Sequence, residues 1–276
     1  MEAICDLHVH STFSDGTDTP AQLIDIACRS GLKAVALCDH NTVAGLCEFM
    51  EAAEGREVEA VPGVEFSTEY MDMELHILGL FIRPEHYAAV TQLLDAMLQR
   101  KEQSYIALIR ALRRENIQLD YGAIKAKASG NVNRALIAAE MVRLGYCTSI
   151  KECFSKWLSP KRGFYHPPKR LDAFEAIRFI KSIGATAVLA HPFLNLEEAP
   201  LRMFLQQAVT CGLDAMEVYY SMFTPEQMTL ARQIAEEFGL KISGGSDYHG
   251  DNKPHIQMGK GQGDLMIPIR LLDKLR

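Results

Sequence analysis

The chain has 276 residues, of which 48% are hydrophobic, and it carries a formal net charge of −6. This length and apolar content suffice for one barrel domain with a sizeable insertion. No run approaches the ~18 apolar residues of a transmembrane helix, which argues against a membrane protein. The N-terminus shows no secretion signal, and the seven cysteines have no CxxC spacing. Together these features predict a cytoplasmic protein.

Strand-like apolar segments in the first part of the chain are followed by residues that can bind metal ions. In chain order, residues 3–7 precede His8, His10 and Asp15; residues 34–38 precede Asp39 and His40; residues 58–64 precede Glu65; and the next apolar run contains His76. Between the first two segments, Thr19-Pro20 predicts the start of a helix and Gly31 its end.

The same pattern returns in the last third of the chain. Residues 187–190 precede His191, residues 215–216 precede Glu217, and residues 241–243 precede Asp247 and His249. Thr224-Pro225 and Gly239 bound a further helix between two of these segments. Alternating strands and helices predict an α/β fold with a mostly parallel barrel, whose strand ends converge on one face. The metal-capable side chains should meet on that face.

Helical periodicity replaces the alternation between about residues 85 and 167. We therefore predict a discontinuous barrel of residues 1–84 and 168–276, interrupted at 85–167 by a helical subdomain that caps the substrate. Residues 83–170 hold sixteen Lys or Arg and seven Asp or Glu, a formal charge of +9, whereas the remainder carries −15. A basic cap over an acidic metal-binding barrel favours a polyanionic substrate such as a nucleotide.

The number of candidate ligands exceeds the needs of one ion. A single catalytic zinc usually takes three protein ligands and water, whereas this sequence offers six histidines and at least three carboxylates. Mixed imidazole and carboxylate ligands suit two or three divalent ions, Mn²⁺, Fe²⁺ or Zn²⁺, with Glu65 as a bridge. Clustered ions of this kind favour hydrolysis of phosphate esters.

Five short motifs occur in a fixed order: His8-Val9-His10-Ser11, Cys38-Asp39-His40-Asn41, Gly63-Val64-Glu65, Ala190-His191-Pro192 and Gly245-Ser246-Asp247-Tyr248-His249-Gly250. With His76 and Asp15 they resemble the motifs of the polymerase and histidinol phosphatase (PHP) family. The resemblance implies a distorted (β/α)₇ barrel with an inserted α-helical subdomain and a centre of two or three metal ions.

Further segments resemble the branch of that family that acts on nucleotides: Gly130-Asn131-Val132-Asn133-Arg134, Arg162-Gly163-Phe164-Tyr165, Glu217-Val218-Tyr219-Tyr220 and Met258-Gly259-Lys260-Gly261. This branch implies a phosphatase that removes phosphate from nucleoside 3′,5′-bisphosphates or monophosphates through attack by a metal-activated hydroxide.

The resemblance also implies roles for individual residues. One ion is expected at His8, His10, Glu65 and Asp247, a second at Glu65, His76 and His191, and a third at Asp15, His40 and His249. All of these except His76 are also expected to take part in catalysis. Substrate contacts are expected from Arg134, Asn131, Lys101, Arg162, Tyr165 and Asn41. Glu217 and Asp39 are expected to orient ligand histidines.

Three alternatives share the predicted barrel. Histidinol-phosphate phosphatase has a small substrate that does not call for a long basic insertion. A nuclease that trims the 5′ end of short RNA would use the same site, although single-strand binders usually add several stacking aromatics and the chain is only 8% aromatic. A metal-stabilised module without catalysis would not need every motif position to be filled. No membrane partner is expected, and the oligomeric state stays open.

Overall fold

The structure, a computed structural model, describes residues 4–127 and 132–276. Asn131, one of the predicted substrate contacts, lies outside the described residues. The chain divides into two compact units, one formed by Met1–Gln92 with Arg170–Arg276 and the other by Leu93–Lys169. The second unit begins at Leu93, whereas the predicted insertion spans residues 85–167; the bounds of the insertion and its capping role stay predictions.

A barrel-shaped sheet forms the first unit. Its strands are β1 Cys5–Val9, β2 Ala34–Leu37, β3 Glu59–Tyr70, β4 Met73–Leu80, β5 Leu171–Asp172, β6 Thr186–Leu189, β7 Ala215–Tyr220 and β8 Lys241–Gly245. The strand order is β1-β2-β3-β4-β6-β7-β8, and the short β5 pairs with β3 outside this path. Neighbouring strands are parallel except at β4, which is antiparallel to both β3 and β6.

The sheet nearly closes between its first strand and the segment that follows its last. Val9 and Tyr248 form a parallel bridge. The His10 N–H donates to the Tyr248 carbonyl at 2.9 Å, and the Asp247 N–H donates to the His8 carbonyl at 2.9 Å. The α/β class and the seven-strand barrel path with inserted helices are therefore confirmed.

The helices are α1 Pro20–Arg29, α2 Leu46–Ala52, α3 Tyr87–Arg113, α4 Tyr121–Lys127, α5 Arg134–Arg143, α6 Ile150–Cys153, α7 Ala173–Ser182, α8 Glu198–Ala208, α9 Pro225–Glu237 and α10 Arg270–Leu275. Thr19 and Thr224 cap α1 and α9, each in a reciprocal capping box with a glutamine three residues later. Both predicted helix starts are confirmed. No helix in the two described segments is long and apolar enough to span a membrane.

Strand β3 is longer than the sequence suggested. It runs past Glu65 to Tyr70 and turns into β4 through Met71 and Asp72, which both have positive φ, at 50° and 63°. Two residues with positive φ match the tight hairpin turn whose twist suits paired strands. Glu65 therefore lies inside a strand rather than at its end, and His76 lies opposite Ser67 across the hairpin.

Each unit has its own apolar core. In the barrel, Leu7, Ala36, Leu78 and Val188 come from four different strands and are almost completely buried. In the second unit, a separate cluster brings together residues of α3, of α5 and of the segment after α6: Leu108, Leu112, Ile137, Met141 and Leu158. The predicted helical character of the inserted stretch agrees with α3 to α6.

Candidate metal centre

The buried Glu65 carboxylate is surrounded by five imidazole rings. Its two oxygens divide these contacts: Oε2 lies 3.2 Å from His8 Nε2, 3.2 Å from His10 Nε2 and 3.0 Å from His40 Nδ1, while Oε1 lies 2.8 Å from His76 Nδ1 and 3.0 Å from His191 Nε2. A carboxylate with three nitrogens around one oxygen and two around the other is well arranged to bridge metal ions.

Several of these atoms are buried without a hydrogen-bond partner among residues 4–127 and 132–276. They are His8 Nε2, His10 Nε2, His40 Nδ1 and Glu65 Oε2. Leaving buried polar atoms unpaired is costly, so their convergence calls for a further group to satisfy them. Imidazole nitrogens and a carboxylate oxygen are common ligands of divalent transition metals. The residues present thus fit metal ions.

Asp15 and His249 extend the cluster toward solvent. Asp15 Oδ1 lies 3.1 Å from His249 Nε2 and 3.7 Å from His10 Nδ1, and Asp15 Oδ2 lies 3.8 Å from His40 Nε2. The Asp15 side chain is 55% exposed, whereas that of His249 is 3% exposed. This part of the centre is therefore open to solvent on the Asp15 side.

Asp247 completes the cluster from the segment after β8. Its Oδ1 lies 3.3 Å from His10 Nε2 and 3.9 Å from His8 Nε2. Asp247 and His191 both have positive φ, at 57° and 27°. Non-glycine residues rarely adopt this conformation, and such strain concentrates at functional sites.

Nine side chains form four overlapping groups whose ligand atoms lie within 4.8 Å of one another. The groups are His10, Asp15, His40 and His249; His8, Glu65 and His191; His8, His10 and Asp247; and His40, Glu65 and His76. The structure therefore brings together all nine predicted metal-binding residues. It groups His76 and His191 separately, each with Glu65, whereas the sequence-based assignment placed both at one ion.

Glu217 supports two of these histidines from β7. Its Oε1 lies 3.0 Å from His8 Nδ1, and its Oε2 accepts a hydrogen bond from the His191 N–H at 2.7 Å. Because a carboxylate can only accept, His8 carries a proton on Nδ1 and turns Nε2 toward Glu65. The expectation that Glu217 orients a histidine agrees with this geometry.

The Asp39 carboxylate is hydrogen-bonded to a loop, through Ser11 and Ser14. It accepts hydrogen bonds from the Ser11 N–H at 2.7 Å, the Ser11 hydroxyl at 2.6 Å and the Ser14 hydroxyl at 2.6 Å. These bonds hold the turn between His10 and Asp15. The link from Asp39 to a ring is indirect, because the Ser14 hydroxyl that bonds to Asp39 also lies 3.5 Å from His10 Nδ1. The expectation that Asp39 orients a histidine stays a prediction.

Two supporting carboxylates did not emerge from the sequence. Glu74 Oε1 lies 3.4 Å from His76 Nε2. Residues two positions apart on a strand lie on the same face of the sheet, so the spacing from His76 could have identified Glu74 in the sequence. Asp6 is fully buried and accepts from the Ser246 N–H at 2.8 Å and the Gly259 N–H at 2.7 Å. It ties β1 to the segment before Asp247 and to the Met258–Gly261 motif.

Opposite charges compensate for burial in the centre. Burial alone would raise the pKa of the Glu65 carboxyl, but the positive charges of His8 and His40 hold that pKa well below its usual range. Burial likewise disfavours protonation of His76, but hydrogen bonds to Glu65 and Glu74 raise its pKa to about 9. An imidazole must be deprotonated to bind a metal ion, so a proton must leave His76 when metal binds there.

The predicted substrate contact Asn41 is engaged within the barrel. Its side-chain Nδ2 donates to the Ser67 hydroxyl at 2.9 Å, and its Oδ1 accepts from the Ser67 N–H at 3.1 Å. These bonds join the segment after β2 to β3, close to His40 and Glu65. A contact between Asn41 and substrate stays a prediction.

The other described candidates belong to the second unit. The Arg134 guanidinium lies 4.6 Å from the centre of the Tyr165 ring and 5.5 Å from that of Phe154, and its Nη1 donates to the Leu158 carbonyl at 3.2 Å. Tyr165 is 4% exposed, which suits a packing role beneath Arg134. Lys101 and Arg162 are exposed.

Comparisons with known proteins agree with this geometry. A family model described as PHP domain matches residues 6–165. A 5′-3′ exoribonuclease of Haemophilus influenzae is 33% identical over 88% of this chain and 89% of its own length. A 3′,5′-nucleoside bisphosphate phosphatase of Chromobacterium violaceum is 28% identical over 88% of this chain and 86% of its own.

A solved structure of a metal-dependent phosphoesterase from Bifidobacterium adolescentis is 26% identical, has a TM-score of 0.69, and aligns over 98% of this chain and 94% of its own. The chain belongs to the PHP family, which confirms the resemblance seen in its motifs. Within that family it is a metal-dependent phosphoesterase, a hydrolase with a metal-binding centre.

Proposed function

We propose that this phosphoesterase hydrolyses a phosphate monoester of a nucleotide, with nucleoside 3′,5′-bisphosphates as the first substrate class and nucleoside monophosphates as the second. The observation that carries the proposal is Glu65, whose two oxygens are contacted by five histidines. A bridging carboxylate of this kind suits two or three ions close together, the arrangement that phosphoryl transfer uses best.

The proposed ligands are the nine clustered side chains, with Mn²⁺, Fe²⁺ or Zn²⁺ as candidate ions: His8, His10, Asp15, His40, Glu65, His76, His191, Asp247 and His249. When bound, such ions neutralise phosphoryl oxygens and lower the pKa of water to make a nucleophile near neutral pH. The protein itself turns Nε2 of His8 toward Glu65 through the contact of Nδ1 with Glu217, and it positions Asp15 through the Asp39 contacts to Ser11 and Ser14.

Charge supports a polyanionic substrate. The inserted unit, residues 93–169, contains fourteen Lys or Arg and six Asp or Glu. Such a surface attracts anions and accelerates their association. We propose Arg134 as a phosphate contact because a guanidinium fits two phosphoryl oxygens at once, and its packing against Tyr165 limits its freedom before binding.

A second candidate function is stepwise removal of nucleotides from the 5′ end of short RNA. The Haemophilus influenzae relative, at 33% identity, is a 5′-3′ exoribonuclease, and the same basic unit suits an RNA chain. Exonuclease action cleaves phosphodiesters, whereas the first proposal concerns a monoester. Both reactions can use the same metal centre, so the two candidates differ in substrate and not in chemistry.

Phosphate release and nucleotide release by Mn²⁺-loaded protein test the proposal. Adenosine 3′,5′-bisphosphate, AMP, histidinol phosphate and a short 5′-phosphorylated RNA are compared in parallel. We expect kcat/KM for the bisphosphate to exceed the others by about tenfold or more, a difference of about 1.4 kcal/mol. Faster release of mononucleotides from RNA would establish the second candidate, and faster turnover of histidinol phosphate would reject both.

Substitution of Arg134 tests its proposed contact with phosphate separately from metal binding. Arg134→Met is expected to retain its bound metal but to raise KM or lower kcat for the bisphosphate, because the neutral side chain cannot neutralise phosphate. Arg110→Met is the matched control, since Arg110 is exposed in the same unit. If wild-type protein binds metal but hydrolyses none of the four substrates, a module without catalysis becomes the better description.

A further inference from the structure

Lys253 places a positive charge beside the proposed metal ligand Asp247. Its Nζ lies 2.6 Å from Asp247 Oδ2, and its side chain is 40% exposed, compared with 7% for Asp247. One end of this contact is therefore buried in the metal centre, while the other faces the solvent. Lys253 was not among the residues that the sequence singled out.

The turn that carries Lys253 is attached to the loop that carries Asp15. The Asp251 N–H donates to the Thr17 hydroxyl at 2.9 Å, and the Asn252 side-chain amide donates to the Asp15 carbonyl at 2.8 Å. Lys253 itself donates its N–H to the Gly250 carbonyl at 3.1 Å. These bonds hold the backbone of the lysine between two segments that supply proposed metal ligands.

The two oxygens of Asp247 have different partners. Oδ1 faces the rings of His8 and His10, at 3.9 Å and 3.3 Å. Oδ2 accepts hydrogen bonds from the Tyr220 hydroxyl at 2.8 Å and from Lys253 at 2.6 Å. A metal ion on the Oδ1 side therefore leaves the lysine in place. The Tyr220 hydroxyl is independent of Lys253, so Oδ2 keeps one hydrogen-bond donor when the lysine is replaced.

We propose that Lys253 binds a phosphoryl oxygen of the substrate at the edge of the metal centre, a contact that rests on the proposed function. Asp247 takes one of the three ammonium N–H donors, and the exposure of the side chain gives an anion access to the others. A charge-assisted bond of this kind strengthens binding of phosphate and of the charge that develops on it. Lys253 is thus a substrate-binding residue next to Asp247.

The test uses Lys253→Met, which keeps most of the length of the side chain but removes the charge, and Lys253→Arg, which retains the charge. Lys33→Met is the matched control, because Lys33 forms an exposed ion pair with Glu57 at 3.2 Å near the opposite ends of the strands. For each protein, metal content is measured by elemental analysis and the affinity of the metal-loaded form for inorganic phosphate by calorimetry. Kinetics with adenosine 3′,5′-bisphosphate follow.

We expect Lys253→Met to keep its metal, to bind inorganic phosphate about tenfold or more weakly, and to lose a similar factor in kcat/KM. Lys253→Arg should recover much of the loss, and Lys33→Met should match wild type. Unchanged phosphate affinity in Lys253→Met would overturn the proposal. Loss of metal from Lys253→Met would also overturn it, since the lysine would then act through Asp247.

Failure of the proposed function gives a different result. If wild-type protein hydrolyses no nucleotide ester but Lys253→Met still binds phosphate more weakly than Lys33→Met, the phosphate contact stands and the nucleotide substrate is rejected. If nucleotide hydrolysis is seen and all variants bind phosphate equally, the function stands and the role of Lys253 is rejected.

Discussion

Glu217 Oε1 lies 3.0 Å from His8 Nδ1, so a carboxylate on β7 sets the direction of a histidine on β1. The same carboxylate accepts the His191 N–H at 2.7 Å through its other oxygen. One buried acid therefore aligns two proposed ligands that lie 183 positions apart in the chain, from His8 to His191. Loss of a supporting bond of this type typically costs about 10- to 100-fold in metal affinity or activity.

Glu217→Gln should weaken metal binding by about 10- to 100-fold. The new amide oxygen can still accept the His191 N–H, and the amide NH₂ then faces His8 Nδ1. Because the NH₂ group donates, Nδ1 must accept, and the ring proton moves to Nε2, the nitrogen required for the metal. Metal affinity is measured by titration of the metal-free protein. Glu198→Gln, at an exposed ion pair with Arg202, serves as the control and should bind metal like wild type. Equal affinity in the two variants would exclude the orienting role of Glu217.

His191→Asn should reduce both metal content and turnover, the latter by more than about 100-fold. The substitution removes the ring whose Nε2 lies 3.0 Å from Glu65 Oε1, while asparagine tolerates the positive φ of 27° at this position. Elemental analysis and phosphate release are the measurements. His255→Asn is the control, because His255 is exposed and outside the cluster. Full activity of His191→Asn would reject His191 as a ligand.

Gly245→Ala should destabilise the barrel by about 1–3 kcal/mol and disturb the metal centre. A methyl carbon built on Gly245 would lie 2.1 Å from His8 Cβ and 2.8 Å from His8 N. The clash falls where β8 meets β1, so the barrel must open locally to relieve it. Thermal unfolding reports the effect, with about 2–4 °C in Tm per kcal/mol for a chain of this size.

The control for that substitution is Gly122→Ala in α4. There the new methyl carbon would lie 3.3 Å from its nearest neighbour, Asp120 Oδ1, and alanine favours the helix. We expect an unchanged or slightly raised Tm. A Gly245→Ala protein as stable as this control would show that β1 and β8 are not tightly packed at His8.

Metal binding should release protons near neutral pH and become tighter as the pH rises. His76, with a pKa raised to about 9, is protonated in the metal-free protein, and an imidazole must lose that proton to bind metal. Apparent affinity is therefore expected to increase between about pH 6 and about pH 9. Calorimetry in buffers of different ionisation enthalpy measures the released protons. A pH-independent affinity without proton release would exclude His76 from the centre.

Local sequence is sufficient to predict the helix starts and to identify the residues that can bind metal ions. Thr19 and Thr224 cap their helices through bonds that reach only three residues along the chain, so their effect can be predicted without the fold. The alternation of strands and helices likewise predicts a barrel, and strand ends on one face follow from that geometry. All nine clustered side chains lie within or shortly after the apolar segments that the sequence predicts as strands.

Tertiary structure alone decided which atoms meet. Glu65 reaches His76 because β3 continues as a hairpin through Met71 and Asp72, whereas an apolar run cannot show where a strand turns. Asp6 and Gly259 meet across 253 positions of sequence at the closure of the barrel. Residue type is a local property that can be read directly, but such contacts depend on register and on closure of the sheet. Both are set by packing of the whole domain.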